Sequence, residues 1–248
     1  GLILGWMYVR YVLRDVNLWQ NKTPPLKLTQ VDDLLVYMAL AVILGGRFGY
    51  VLFYEPDIYL ANPIEIFKVW KGGMSFHGAI VGSIIGITLF ALRTKASAWS
   101  VLDLCAAATP LGLFFGRLAN FINGELYGRV TDVPWGMIFP NAKYLYPNVE
   151  PATRHPSQIY EALLEGLVLF VLLRYLTHRR AAFQSPGLIS GFFFFGYGCA
   201  RIFAENFREL HLGHILNIGP LTVGQVYSLP MVLIGLYVIV SARKKTSL

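Results

Sequence analysis

The feature that most constrains this chain is the recurrence of apolar runs close to the length that crosses a bilayer. A hydrocarbon core takes roughly 20 mostly apolar residues per helical pass, because every backbone polar group must be satisfied within the segment. Seven such stretches can be marked: residues 1–13, 31–54, 75–92, 99–122, 159–176, 187–204 and 223–240. They predict an all-α polytopic membrane protein of seven transmembrane helices in one membrane domain spanning residues 1–248. Composition supports lipid as the solvent: charged residues make up 14% of the chain and the mean hydropathy is +0.52, against about 25% charged in an ordinary globular domain. Disorder and a soluble fold are thereby excluded. The first run is short and starts without Met, and it is expected to be the remainder of a longer helix rather than a signal peptide, which would end in a cleavage site.

The formal charge of +7 would fit a nucleic-acid ligand only if the basic residues formed a patch; they are spread between apolar runs, so no nucleic-acid partner is expected. Cys105 and Cys199 lie far apart inside apolar runs without CxxC spacing, so neither a disulfide framework nor a metal site is implied, and no cofactor is expected. Orientation follows from the loops, since short cytoplasmic loops retain Lys and Arg. One alternate set carries Arg14, Lys22 and Lys27, then Arg93 and Lys95, then Arg174, Arg179 and Arg180, then Arg243, Lys244 and Lys245. The opposite set is sparser over longer segments. The N-terminus is therefore expected outside and the C-terminus in the cytoplasm. The longest connection, residues 123–155, is rich in Pro, Gly, Asn and Tyr and should form a small extracytoplasmic cap with turns and short strands. Residues 57–70 read as an interfacial helix on the same side.

A charge at the centre of a spanning helix costs roughly 2.5–3.5 kcal/mol on insertion scales, so each retained one needs a reason. The orientation places most of them at one depth, toward the outer leaflet. Arg47 and Tyr50 fall in the outer half of the second run, His77 lies about one turn inside the third, and Arg117 and Asn120 share a face of the fourth. The fifth begins at Pro156 and carries Glu161 and Glu165. The sixth ends with Tyr197, Arg201, Glu205 and Arg208 on one stripe. Arg47 is a candidate ion-pair partner for Glu161 or Glu165, Glu205 for Arg201 or Arg208, and Asp103, at the inner end of its run, reads as structural. Arg117 and Arg201, read as two unmatched guanidiniums at one level, suit an anionic head group. Two guanidiniums, a histidine, a tyrosine and amides near the outer surface describe a site for a phosphate-bearing lipid. No HExxH, GxSxG or Walker motif is present.

At these residues the sequence resembles the bacterial prolipoprotein diacylglyceryl transferases. The resemblance is carried by Gly116-Arg117-Leu118-Ala119-Asn120-Phe121-Ile122-Asn123-Gly124-Glu125 followed by Gly128, with residues 45–50, 72–78, 154–161 and 197–208 and Gly224-Gln225 around it. Ala119 stands where the family usually has Gly, and Asn206 where it has an aromatic. The resemblance implies transfer of the diacylglyceryl group from phosphatidylglycerol to the lipobox cysteine thiol of a preprolipoprotein, releasing glycerol phosphate, in the bacterial inner membrane by a monomeric enzyme. It implies His77, Arg117 and Arg201 as catalytic residues: His77 as base, with Glu125 or Tyr197 as alternatives, and the arginines on the phosphate. Asn120, Glu125, Gly128, Tyr197, Glu205 and Arg208 would bind substrate, with Arg208 completing a lid. The competing class is an anion or phospholipid transporter with the arginines as a selectivity ring, which should also line the inner halves with polar residues. Apart from Asp103 and Thr109, those halves are almost wholly apolar.

Overall fold

Helix forms at each of the seven places where the hydropathy pattern asks for one. The computed structural model describes residues 1–140, 152–209 and 221–246. In it α1 is Leu2–Arg14, α2 Gln30–Phe53, α3 Phe76–Thr94, α4 Ala98–Asn123, α6 Leu188–Ala204 and α7 Val223–Thr246. Between α4 and α6, α5 is composite: Ser157–Glu161, a π-helical stretch Ala162–Val168, then Leu169–Arg180. Five segments have the length and apolarity to cross a membrane: Gln30–Phe53, His77–Thr94, Ala98–Asn123, Leu188–Phe207 and Gly224–Arg243. The chain is thus an all-helical, multi-pass membrane protein. Helices also stand at the other two predicted spans, the 13-residue α1 and the composite α5.

The expected short strands of residues 123–155 are reduced to single bridges, Gly128 with Arg208 and Arg154 with both Val130 and Met137; no strand forms among the described residues, and residues 141–151 lie outside them. The interfacial segment is not one helix either. It is a helix Pro56–Ala61 followed by 3-10 turns Pro63–Phe67 and Val69–Lys71, because Pro63 forces Asn62 out of helical geometry (φ −138°, ψ 77°). Its apolar side chains Ile58, Leu60, Ile64, Phe67 and Trp70 remain exposed, as an interfacial segment requires.

The chain packs as two compact units, one comprising Pro24–Leu102 and the other Gly1–Thr23 with Asp103–Leu248. In the first, α2 and α3 pack backbone to backbone. A Cβ on Gly45 would stand 2.4 Å from the Gly78 carbonyl oxygen, and one on Gly82 would stand 2.2 Å from that of Ala41. Small residues allow this approach, which replaces the hydrophobic effect as the source of helix association in lipid. Ser75 caps α3 by accepting from Gly78 N at 3.2 Å. Arg47, 4% exposed, does not seek a carboxylate: it donates to the carbonyls of Ile66 (2.8 Å), Gly72 (2.6 Å), Gly73 (3.1 Å) and Glu65. The expected pairing with Glu161 or Glu165 is therefore replaced by a cage of backbone oxygens that fastens the interfacial segment to α2.

Glu65 reinforces that clasp, its carboxylate accepting from Lys68 and from Lys71 (2.8 Å). The Lys68 and Lys71 ammonium groups hold its carboxyl down to about 2, well below the usual carboxylate range. Because the folded value is depressed, the clasp's contribution to stability is full above the ordinary carboxylate pKa and is lost as pH falls through about 2. A carboxyl-carbon NMR titration should find Glu65 still ionised at pH 3; protonation near 4.5 would show that the lysines do not hold it.

In the second unit α6 and α7 pack closely at Gly191, Gly198 and Gly235, where a Cβ on Gly235 would lie 2.5 Å from Phe195 N. Gly166 of α5 lies against Phe114 of α4, with 2.8 Å from its would-be Cβ to that Cα. Asp103, 1% exposed, caps a helix other than its own. Its carboxylate accepts from Gly187 N (2.7 Å), Ser190 N (2.7 Å) and Ser190 Oγ (2.5 Å) at the start of α6, satisfying donors that helix geometry leaves orphaned. Near the end of α1, Trp19 stacks on Phe183 at 4.4 Å and donates to Val12 O at 3.1 Å.

Candidate active site

The C-terminal end of α4, the first half of α5 and the end of α6 bring charged side chains into one cluster. Glu161 and Glu165, one helical turn apart on α5, are both 0% exposed. The widened π-helical turn between them leaves positions four apart nearly in line. Arg117 Nη2 of α4 reaches both, at 2.7 Å from Glu161 Oε2 and 3.3 Å from Glu165 Oε2. Arg201 Nη1 of α6 stands 3.4 Å from Glu161 Oε2 and 3.9 Å from Glu165 Oε1, and its Nη2 lies 3.0 Å from Glu205 Oε2. Arg208 closes the ring, with Nη1 2.7 Å from Glu161 Oε1 and Nε 3.6 Å from Glu205 Oε2.

Arg117 and Arg201 are therefore not unmatched. Three guanidiniums interleave with three carboxylates, and the cluster carries no net formal charge. That arrangement lets it survive away from water, since a lone buried ion costs several kcal/mol. The exposure is asymmetric: the side chains of Arg117, Arg201 and Arg208 keep 16–17% of their surface, while Glu161 and Glu165 keep none. The arginines are thus the accessible members of the cluster, and Glu161 and Glu165 the buried ones.

Beside this ring, Glu125 is held by amides. Asn120 Nδ2 donates to its Oε1 at 2.8 Å and Asn123 Nδ2 at 3.2 Å, and Gln158 Nε2 donates to its main-chain oxygen at 2.7 Å. The turn that makes this possible uses the left-handed region at Gly124 (φ 67°) and Leu126 (φ 57°). Tyr197, one turn before Arg201, stacks on Phe193 with centroids 5.9 Å apart and lies within electrostatic reach of Glu165, Arg201, Arg117 and Glu161. Gly128 offers its main-chain oxygen to Arg154 Nη1 at 3.2 Å and stands apart from the arginine–glutamate ring. Its role is a backbone crossing, for a Cβ there would lie 2.3 Å from Phe207 O, and its N–H donates to His155 O at 2.9 Å while Arg129 N donates to Phe207 O at 3.0 Å. The crossing pins the chain directly before Arg208.

Of the expected site residues, Arg117, Tyr197, Arg201, Glu205 and Arg208 thus meet in one cluster, with Asn120, Glu125 and Gly128 flanking it. His77 belongs to the other unit. It occupies the first turn of α3, exposed, at the edge of an apolar groove of about 640 Å³ along α2 and α3 that includes Gly45, Phe48, Gly49 and Val81. Sequence reasoning did not assign Glu161 and Glu165 to the site, although both lie at the depth where the arginines converge. Arg154 was missed entirely. It is 4% exposed, paired with Glu209, bonded to Gly128 O at 3.2 Å and stacked over Tyr127 with 5.0 Å to the ring centroid. It locks the crossing from within.

Comparison with known proteins assigns the chain to a family. The family model described as prolipoprotein diacylglyceryl transferase matches residues 1–241. A protein of Rhizobium meliloti (strain 1021) is 47% identical over 98% of this chain and 85% of its own length. One of Mesorhizobium japonicum is 49% identical over 98% and 83%, and one of Cereibacter sphaeroides 48% identical over 98% and 88%. All three bear the name phosphatidylglycerol–prolipoprotein diacylglyceryl transferase. With the match extending across nearly all of its residues, through both units and every element of the arginine–glutamate cluster, this chain belongs to the prolipoprotein diacylglyceryl transferase family.

Proposed function

We propose that this enzyme transfers the diacylglyceryl group of phosphatidylglycerol to the lipobox cysteine thiol of a preprolipoprotein, and that the arginine–glutamate cluster is where the lipid phosphate is held. The observation that carries this reading is the convergence of Arg117 from α4 with Arg201 and Arg208 from the end of α6, each partly exposed and paired with buried carboxylates. Guanidinium forks match phosphate oxygens, and donors already in place cost no reorganisation as charge grows on the departing group. The sulfur forms the new carbon–sulfur bond as the carbon–oxygen bond to phosphate breaks, and the electron pair goes to the phosphate oxygen beside Arg117 and Arg201. Asn120, Glu125 and Tyr197 orient the head group, Gly128 sets the chain before Arg208, Glu205 orients Arg201 and Arg208, and Arg208 closes over the lipid.

A thiol with pKa near ~8.5 needs only about 2 kcal/mol for deprotonation at pH 7, so a modest base suffices. His77 fills that role, with Glu125 and Tyr197 the alternatives. All seven helices are read as passes through the bacterial inner membrane, N-terminus outside and C-terminus in the cytoplasm, in a monomer with the site toward the outer side and residues 123–155 as its cap. A transporter reading finds no support from Asp103, the one carboxylate in the inner half of α4: its oxygens are consumed in capping α6.

The test uses the protein in phosphatidylglycerol liposomes with a lipobox peptide. Glycerol phosphate should be released only when the peptide thiol is present, and a Cys→Ser peptide should release none. Release without an acceptor, or lipid movement without release, would replace transfer by hydrolysis or transport. His77→Asn should lose transfer at pH 7 and regain much of it at pH 9; a loss independent of pH would assign the base elsewhere.

A further inference from the structure

At Gly224 a carboxylate occupies the space that a side chain would take. A Cβ at Gly224 would stand 2.4 Å from Glu205 Oε1, 2.5 Å from its carboxyl carbon and 2.6 Å from Oε2. The backbone there cannot retreat. Thr222 N donates to Gln225 Oε1 at 3.1 Å and Gln225 N to Thr222 Oγ1 at 3.3 Å, a reciprocal cap on the first turn of α7. Ser228 Oγ ties back to Gly224 O at 2.7 Å, and one turn further on α7 lies against Gly198, whose would-be Cβ is 3.2 Å from both Ser228 O and Val232 N. A methyl group at position 224 must therefore be accommodated by Glu205, whose carboxylate is the free end of a side chain and yields without unfolding anything.

That carboxylate is already engaged elsewhere, with Oε2 3.0 Å from Arg201 and 3.6 Å from Arg208. Any displacement passes into two of the three guanidiniums. We infer that Gly224 is a positioning residue for the transfer reaction, its lack of a side chain seating the Glu205 carboxylate where that group orients Arg201 and Arg208. The inference rests on the reading of those arginines as phosphate ligands. The carboxylate also stands in the first turn of α7, where the positive end of the helix favours it, so the seat fixes charge as well as shape.

The experiment compares Gly224→Ala, Glu205→Asp and the double variant in detergent and in phosphatidylglycerol liposomes. Gly224→Ala should keep the wild-type melting temperature within about 2 °C yet lower kcat at least tenfold. Glu205→Asp is one methylene shorter and withdraws the carboxylate from the added methyl. The double variant should therefore be at least fivefold more active than Gly224→Ala, a non-additive gain that a packing defect does not produce. Wild-type transfer by Gly224→Ala overturns the inference, as does a double variant whose loss is the product of the single losses, or a fall in melting temperature that Glu205→Asp does not reverse. If Arg201→Ala and Glu205→Ala both transfer at the wild-type rate, it is the phosphate reading that fails, whatever Gly224→Ala does.

Discussion

Replacing Arg117 with alanine is expected to remove transfer and to weaken the fold in one step. Its guanidinium is shared by Glu161 and Glu165, both fully buried, and deleting it leaves two carboxylates with reduced compensation. Breaking a buried pair from one side costs about 3–5 kcal/mol. Loss of a fixed donor to the departing phosphate should lower the rate by roughly 10² to 10³. The two effects separate in a double variant: Arg117→Ala with Glu165→Gln removes one cation and one anion, so melting temperature should recover most of the loss while transfer stays absent. Arg117→Lys keeps the charge as a single point and should restore stability better than rate, because an ammonium does not present the fork. Full transfer by Arg117→Ala in proteoliposomes would remove Arg117 from the chemistry; recovery of both properties in the double variant would make it a structural ion only.

The second large effect is expected in the other unit, at Gly82→Val. The would-be Cβ lies 2.2 Å from the Ala41 carbonyl oxygen and 2.9 Å from the Gly45 Cα, both backbone atoms of α2. No rotamer relieves such a contact, so α2 and α3 must separate. The cost should exceed the about 1–3 kcal/mol typical of overpacking by side chains alone. A detergent melting curve should show a fall of many degrees, or the protein should fail to accumulate. Gly116→Ala is the contrast, since nothing stands within 4 Å of its would-be Cβ; alanine is also the better helix former, and its melting temperature should not fall. Equal stability of the two variants would mean that α2 and α3 do not pack as described.

Much of this was legible in the sequence, and the parts that were not have identifiable causes. Helix was readable at seven places because lipid allows few alternatives to it, and the convergence of Arg117, Arg201 and Arg208 followed from counting turns along oriented helices. Partners were harder. Depth along a helix says which groups are level, whereas rotation about its axis says which of them touch, and the π-helical turn of α5 changes that rotation without a sequence signature strong enough to mark it. Glu161 and Glu165 were visible as charges but not as the backing of the arginines. Arg47 was visible as a charge but its oxygens are main-chain, and no residue name encodes them. Arg154 was hidden because its neighbours come from residues 128 and 209, joined only when the chain crosses at Gly128. The glycines of α2 and α3, legible only as small residues, are revealed by their neighbours as contacts between backbones.

The cap that Asp103 places on α6 works as a ruler. It joins position 103 of α4 to Gly187, the N-cap of α6, and from that common origin Arg117 lies fourteen residues on along α4 and Arg201 fourteen residues on at α6. At 1.5 Å per residue each arginine is set about 21 Å from the pin, after about 3.9 turns in either helix. Level placement of Arg117 and Arg201 is thus measured out from the opposite ends of α4 and α6, by one carboxylate and two equal lengths of helix.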